Sequence, residues 1–99
     1  MAEHFSILSE DEVQSFLEDN PDWSLDGKAL EREFKFPDFV AAVKFINAVA
    51  EHAEELNHHP EIYNVYNTVK IFGLCTHDAG NKITDLDTAL ASKISQLYK

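Results

Sequence analysis

The sequence predicts an α+β fold in which helices cover one face of a four-stranded antiparallel sheet. Two observations carry this prediction. Three segments repeat apolar residues at helical spacing, and two pairs of short strand-like segments are each joined by a turn signal. The order is α-β-β-α-β-β-α, and hairpins build antiparallel sheets that commonly bury one face. With 99 residues, the chain is expected to form a single domain over residues 1–99.

The first helix has clear boundary signals. Ser9 and Glu12 have the spacing of a capping box, in which each side chain bonds the other residue's backbone N–H. Asn20-Pro21 ends the helix, because the residue before proline avoids the helical region. The predicted buried positions are Val13, Phe16 and Leu17.

The first hairpin follows directly. Residues 23–25 and 29–36 read as strands, and Asp26-Gly27 is a strong turn signal between them. In the second strand the residues alternate, so one side is mostly apolar and the other charged. The apolar side holds Leu30, Arg32, Phe34 and Phe36.

The longest helix is predicted from Asp38 to about Leu56. Its wide apolar face comprises Phe39, Ala42, Val43, Ile46, Val49, Ala50, Ala53 and Leu56. A second, narrower stripe comprises Ala41, Phe45 and Ala48. Two apolar stripes indicate either a helix deep in its own domain or a contact between subunits, and the small size of the chain slightly favours the subunit contact.

The second hairpin is predicted from strands at residues 62–65 and 69–77, with a turn at residues 66–68. Thr84 then caps the last helix, with Asp87 at the capping-box position. The buried stripe of this helix is Leu86, Leu90, Ile94 and Leu97.

Charge and cysteine content narrow the classes of function. The formal net charge is −10, so direct binding to nucleic acid or to an anionic membrane is disfavoured. The single cysteine, Cys75, cannot form an internal disulfide, and no signal peptide or membrane-length apolar run is visible. These features lead us to expect a cytoplasmic location, with the nucleus as the alternative.

Three histidines are the strongest candidates for chemistry. His58 and His59 follow the long helix, and Pro60 stiffens the loop that holds them. His77 ends a predicted strand that can return beside that loop, with Glu54 and Asp87 nearby. Imidazoles transfer protons in both directions near neutral pH. The simpler alternative is that the adjacent pair is a solvent-facing polar loop.

Two other kinds of site have weaker support. Cys75 and His77 lie two residues apart, on one strand face, and could ligate a metal, but no second ligand pair stands at an ordinary spacing. Cys75 lies within an apolar strand, where a thiol tends to be inert as a nucleophile. We therefore predict no metal site.

Several motifs stand together in this chain: EELNHHPE at residues 54–61, YNVYN at residues 63–67, Thr76-His77, then Thr84 and Asp87, with Trp23 and FKFPDF at residues 34–39 upstream. In these motifs the chain resembles the pterin-4a-carbinolamine dehydratases. The resemblance implies the same sheet-and-helix fold and the dehydration of 4a-hydroxytetrahydrobiopterin to quinonoid dihydrobiopterin, in recycling of the cofactor of aromatic amino-acid hydroxylases. It also implies a homodimer or homotetramer, and no metal or organic cofactor, since the pterin is the substrate.

The resemblance also implies roles for individual residues. His58 and His77 transfer protons, and His59 mainly places the substrate. Glu54 either orients an imidazole or contacts the pterin. Asp87 either orients His77 or completes the helix cap, and the cap is the more secure of the two. Glu61 and Tyr63 are candidate walls of the pocket.

The sequence departs from the family pattern at two places. Asn57 stands where an Asp is common, so no carboxylate is available there. Ten residues separate Tyr66 from His77, where nine is usual. One extra residue would turn the rest of the strand to the other face, so we predict a β-bulge at residues 72–74, around Gly73.

The same resemblance also implies a second possible function. Relatives act as protein-binding dimerisation cofactors of a transcription factor, alone or beside the enzyme activity. The three-histidine cluster favours the enzyme, because a pure binding module has no need of it.

Overall fold

A computed structural model gives the structure of residues 4–98. The elements in chain order are α1 (Glu10–Asp19), β1 (Ser24–Asp26), β2 (Ala29–Lys35), α2 (Phe39–Glu55), β3 (Glu61–Val65), β4 (Thr68–Leu74), a short 3-10 helix (His77–Ala79) and α3 (Asp85–Leu97). This order confirms the predicted α+β arrangement. The single domain predicted for residues 1–99 includes residues 1–3 and 99, which lie outside the described residues.

The four strands form one antiparallel sheet in the order β1-β2-β4-β3. Each hairpin closes with a two-residue turn, since Asp26 pairs with Ala29 and Val65 with Thr68. β1 and β3 are therefore the edges of the sheet. The central strands, β2 and β4, carry most of the buried side chains of the sheet.

One face of the sheet is covered by the helices. Arg32 lies on this face too, with its guanidinium 4.5 Å from the centre of the Phe34 ring. At the end of α3, Tyr98 packs edge-on against Phe34 and donates a hydrogen bond to the Lys35 carbonyl at 2.9 Å. The buried core comprises Trp23, Leu30, Phe34, Ala42, Phe45, Val49, Ala53, Val69, Ile71, Leu74, Ile83, Leu90, Ala91 and Ile94.

Both predicted capping boxes are present. Ser9 and Glu12 exchange side-chain and backbone hydrogen bonds at the start of α1. Thr84 and Asp87 do the same at the start of α3. Asp38 caps α2 by accepting from the Ala41 N–H at 2.9 Å. The side chains of these local motifs fixed all three helix starts.

The prediction for the faces of α2 was partly wrong. Phe45, assigned to the narrow stripe of a subunit contact, is buried between Phe34 and Phe36 of its own domain. Phe39 and Ala50, assigned to the buried face, are exposed. The helix is rotated relative to the prediction because Phe45 packs against Phe34 of β2 and against Phe36, which follows the strand directly. Helical spacing alone cannot choose between two apolar stripes.

The predicted β-bulge lies where the sequence placed it. Leu30 pairs with Leu74 and Arg32 pairs with Ile71, so Phe72 and Gly73 of β4 together oppose the single residue Glu31 of β2. Gly73 has φ +58°, in the left-handed region. The bulge absorbs the extra residue, so that Ile71 and Leu74 both remain buried on the helix side.

β4 is shorter than predicted. It ends at Leu74, and His77 begins the 3-10 helix instead of ending the strand. The chain leaves the sheet because the Thr76 N–H bonds the Lys82 carbonyl, which closes a local loop.

Trp23, predicted to begin the first strand, lies just before β1, where its indole N–H donates to Ser95 at 2.8 Å. Within residues 4–98 no helix combines the length and apolar character needed to cross a bilayer.

Replacing Gly73 with alanine tests the bulge. A Cβ at this position would be strained by the positive φ and would stand 1.9 Å from Oε2 of Glu61. We expect Gly73→Ala to lower the free energy of unfolding by about 1–2 kcal/mol, the usual cost of a left-handed residue with a side chain. Chemical denaturation measures the change.

Gly27→Ala is the matched control, because Gly27 has a similar φ of +63° but open space around its Cβ position. In a Glu61→Ala background, Gly73→Ala should lower the free energy of unfolding by less, because the new Cβ no longer meets the Glu61 carboxylate. An unchanged denaturation midpoint for Gly73→Ala would contradict the bulge geometry.

Candidate active site

The three candidate histidines line one cavity. The cavity has a volume of about 220 Å3, below the ~300–1,000 Å3 typical of sites for drug-sized ligands. A single small heterocycle suits that size better than a polymer. Its walls are Asn57, His58, His59, Cys75, Thr76, His77, Asp78 and Leu86.

The end of α2 sets the direction of the histidine pair. Asn57 adopts φ +48°, the Asn57 N–H bonds the Glu54 carbonyl and the His58 N–H bonds the Ala53 carbonyl. These are the two hydrogen bonds of a Schellman motif, in which a left-handed residue ends the helix. Asparagine tolerates that conformation well. The motif turns the chain sharply, so that His58 and His59 leave the helix towards the cavity.

His58 is paired with a buried carboxylate. Its Nε2 contacts Oδ1 of Asp87, which is completely buried in the first turn of α3. Oδ2 of the same carboxylate accepts the Thr84 N–H at 2.8 Å, as the capping box requires. It also accepts the Thr76 hydroxyl at 2.9 Å. Asp87 therefore completes the helix cap, as predicted, but the imidazole beside it is His58 and not His77.

His59 has a more exposed carboxylate partner. Its Nε2 lies 2.5 Å from Oε2 of Glu54, one turn back on α2. The His59 side chain is more than half exposed and that of Glu54 is more exposed still. An ion pair with this exposure contributes little to stability. The contact matches one of the two roles left open for Glu54, the orientation of an imidazole.

His77 reaches the cavity from a separate loop. It is exposed and begins the 3-10 helix, which Gly80 closes with φ +73°. Thr76, the residue before it, is held on both sides by the Thr76–Lys82 bridge and by its hydroxyl contact with Thr84 at 2.7 Å. His77 therefore follows a fixed neighbour on the chain, and it lines the same cavity as His58 and His59.

Cys75 is a wall of the cavity and not the strand-interior residue that the sequence suggested, because β4 ends one residue before it. Burial raises the pKa of the Cys75 thiol, and the negative charges of Asp87 and Glu61 raise it further. The thiol is therefore neutral at physiological pH and a poor nucleophile. In the described part of the chain, no group of three or more His, Cys, Asp or Glu side chains is placed to hold a metal ion.

A larger groove lies elsewhere but offers less chemistry. It has a volume of about 680 Å3 and runs between α1 and the β1–β2 hairpin. Its lining contains Lys28, Lys82 and Glu10 among apolar side chains, and no histidine. The smaller cavity is the better candidate because it holds three imidazoles and a buried carboxylate beside one of them.

Comparison with known proteins identifies the family of this chain. The family model described as pterin 4 alpha carbinolamine dehydratase matches residues 6–97. The chain belongs to the pterin-4a-carbinolamine dehydratase family.

Individual relatives match over nearly their whole length. A protein of Prochlorococcus marinus strain NATL2A is 44% identical over 92 residues, covering 93% of this chain and 95% of its own. A protein of Sulfurisphaera tokodaii is 48% identical over 90 residues, covering 91% and 95%. Both are provisionally named pterin-4-alpha-carbinolamine dehydratases.

A solved structure from Brucella melitensis has the same fold. It is described as a transcriptional coactivator/pterin dehydratase, with a TM-score of 0.87 and 38% identity, and it covers 95% of this chain and 100% of its own. The family therefore supports a pterin carbinolamine dehydratase activity for this chain.

Not all the residues that the dehydratase resemblance suggested line the cavity. His58, His59 and His77 are in its wall, while Glu54, Glu61, Tyr63 and Asp87 are not. The Glu61 carboxylate lies over Gly73, close enough to Cys75 to affect its pKa. Tyr63 is exposed on the edge strand, where it pairs with Lys70.

The sequence predicted no place in the site for Thr76, Asp78 or Leu86, which all line the cavity. Thr76 could have been found from its place beside His77, since a buried hydroxyl next to a candidate site needs a partner. Leu86 was assigned to the buried stripe of α3, but it is only partly buried and forms a wall of the cavity. A periodic pattern cannot separate a core position from a pocket wall.

The thiol of Cys75 gives a pH prediction. Because the pKa of Cys75 is raised, its thiolate forms only at higher pH than in an unfolded chain. We expect the rate of alkylation by iodoacetamide to rise with pH with a midpoint above the ~8.5 of an unperturbed thiol. The stability that comes from keeping this thiol neutral is complete below the unfolded pKa and is lost as pH rises through the folded one.

A short peptide carrying residues 73–77 is the control for intrinsic thiol reactivity. Its alkylation midpoint should be lower than that of the folded protein. An equal or lower midpoint in the folded protein would contradict the burial argument.

Proposed function

We propose that this chain dehydrates 4a-hydroxytetrahydrobiopterin to quinonoid dihydrobiopterin by histidine acid–base catalysis, in the recycling of tetrahydrobiopterin. The observation that carries the proposal is the convergence of His58, His59 and His77 on one small cavity, with Asp87 behind His58. Membership of the family supports the class of substrate.

The reaction requires two proton transfers. The bond between C4a and its hydroxyl oxygen breaks, the proton on N5 leaves, and a C4a=N5 double bond forms with release of water. Hydroxide leaves slowly unless it is protonated, so an acid is needed near the oxygen and a base near N5. Each such group typically contributes about 10²–10⁴-fold to the rate.

We assign His58 as the base that removes the N5 proton. The Asp87 carboxylate beside it stabilises the imidazolium that forms when His58 accepts a proton. This is the role of the carboxylate in a His–Asp pair. His77, on the other loop, is assigned as the acid that protonates the departing hydroxyl.

The remaining residues place the substrate in this proposal. His59, held by Glu54, offers a polar edge at the exposed mouth of the cavity. Glu61 is proposed as a substrate contact at the rim of the cavity, since its negative charge raises the pKa of Cys75 in the cavity wall. Tyr63 is proposed as a further contact from the edge strand, where the residue is 58% exposed.

Stopped-flow measurement with chemically generated 4a-hydroxytetrahydropterin tests the proposal. We expect His58→Gln and His77→Gln each to lower kcat by about 10²-fold or more, since each removes one proton-transfer group. His59→Gln should mainly raise KM. His52→Gln is the matched control, because His52 is a histidine of α2 whose ring contacts Glu55 outside the cavity.

Two results would count against the proposal. The native chain could fail to accelerate the reaction over buffer, which would remove the dehydratase function. Alternatively, both glutamine variants could retain more than a third of native kcat, which would leave the function standing and remove the two histidine assignments.

We also propose that the chain forms homodimers or homotetramers through the edge strand β3. Four apolar side chains on or beside this strand are substantially exposed: Ile62, Tyr63, Val65 and Tyr66. Among residues 4–98, β3 borders only β4, so its other edge is unpaired. Long exposed edges with apolar side chains favour pairing with another strand.

Val65→Lys tests this assembly. A lysine on an edge strand disfavours strand pairing, so we expect the variant to shift towards the monomer in sedimentation equilibrium. Lys70→Arg, which keeps the charge on the neighbouring strand, is the control. A native protein that is monomeric at all concentrations would contradict the assembly.

A protein-binding role as a dimerisation cofactor of a transcription factor is the second candidate. The Brucella relative is described as a transcriptional coactivator as well as a dehydratase. At the start of α2, Phe39 and Val40 are 51% and 61% exposed, and such a surface can bind another protein. This second role predicts that a partner protein still binds to His58→Gln, although that variant has lost its kcat.

A further inference from the structure

We infer that Thr76 is a positioning residue, whose hydroxyl fixes the Asp87 carboxylate and thereby sets which nitrogen of His58 carries the proton. The inference rests on the proposed function, because it concerns the group assigned there as the base. Thr76 does not contact the reacting atoms in this scheme; it acts through Asp87.

The contact lengths select one direction for the hydrogen bonds among the buried groups, because the Thr76 hydroxyl is 2.9 Å from Oδ2 of Asp87 and the Thr84 hydroxyl is 3.4 Å from it. A carboxylate accepts and a hydroxyl has one proton to donate. The Thr76 hydroxyl donates to Oδ2 of Asp87 at 2.9 Å. The contact between the Thr76 and Thr84 hydroxyls, 2.7 Å long, must therefore be donated by Thr84. Thr84 in turn accepts from the Leu86 N–H at 3.2 Å.

This arrangement leaves a single oxygen for the imidazole. Oδ2 of Asp87 is occupied by the Thr84 N–H and the Thr76 hydroxyl. Oδ1 faces Nε2 of His58 and accepts from it. His58 therefore carries its proton on Nε2 in the neutral state, and Nδ1 is the nitrogen that exchanges protons with a substrate.

Burial is what gives Thr76 this control. Thr76, Thr84 and Asp87 are 3%, 0% and 0% exposed, so solvent cannot replace a missing donor. The Thr84 hydroxyl stands 3.4 Å from Oδ2, a longer contact than the 2.9 Å of the Thr76 hydroxyl. Without the Thr76 hydroxyl, the carboxylate loses a donor and is free to turn away from His58.

The same segment serves both proton-transfer histidines. Thr76 acts on His58 through Asp87, and the next residue along the chain, His77, lines the cavity directly. A shift of this loop therefore changes both imidazoles together.

The test compares Thr76→Val, which keeps the shape but removes the hydroxyl, with Thr76→Ser, which keeps the hydroxyl. Long-range 1H–15N NMR of the histidine-labelled protein reports the tautomer of His58, with the His58 signals assigned by their loss in His58→Gln. Stopped-flow kinetics with 4a-hydroxytetrahydropterin gives kcat and KM for the same proteins. Thr68→Val, at the far end of β4, is the control for the same chemical change outside the cavity.

We expect the native protein to show His58 with its proton on Nε2. Thr76→Val should mix the two tautomers and lower kcat by roughly tenfold, with KM changed less than twofold, as is usual when the partner that orients a functional group is lost. Thr76→Ser should restore both readouts. Thr68→Val should match the native protein in both.

Three results would overturn the inference: a native His58 protonated on Nδ1, a folded Thr76→Val with native tautomer and kcat, or a Thr76→Ser that behaves like Thr76→Val. If Thr76→Val fails to fold, two measurements still test the inference. They are the tautomer of His58 in the native protein, and the tautomer and kcat of Thr76→Ser compared with the native values. If the native chain shows no dehydratase activity while Thr76→Val still changes the tautomer, the positioning by Thr76 stands and the proposed function fails.

Discussion

The buried carboxylate of Asp87 joins two parts of the molecule that lie 29 residues apart in the chain. It caps α3 from inside the first turn and contacts the imidazole of His58 after α2. Removing a carboxylate from water costs on the order of several kcal/mol. The hydrogen-bond donors around Asp87 offset this cost. The start of α3 and the position of the candidate base therefore depend on one side chain.

The start of α3 is held from a second direction as well. The N-terminal segment runs beside it, where Ser6 and Asp85 exchange hydrogen bonds of 2.8 and 3.0 Å and the Leu8 N–H bonds Ile83. At the other end, Tyr98 joins the aromatic cluster of the sheet. Because α3 is fixed at both ends, the Asp87 carboxylate has a defined place before any ligand enters.

The bulge in β4 is the feature that brings the second loop to the cavity. Without it, the extra residue would turn Leu74 to the open face and reverse the positions that follow. With Phe72 and Gly73 sharing one place in the ladder, Leu74 stays in the core and Thr76 points to Asp87. The glycine is required by the positive φ and by the carboxylate of Glu61 above it.

Local signals in the sequence determined the helix starts, the two hairpins and the position of the bulge, because caps, turns and glycine in a strand act over a few residues. The pattern of histidines and the family resemblance also identified the cavity residues His58, His59 and His77. The tertiary structure alone decided that Phe45 belongs to the core, that Asp87 pairs with His58, and that Thr76 completes the buried hydrogen bonds. Those contacts join residues far apart in the chain, and spacing along a sequence carries no information about which distant side chains meet in a buried, water-free interior.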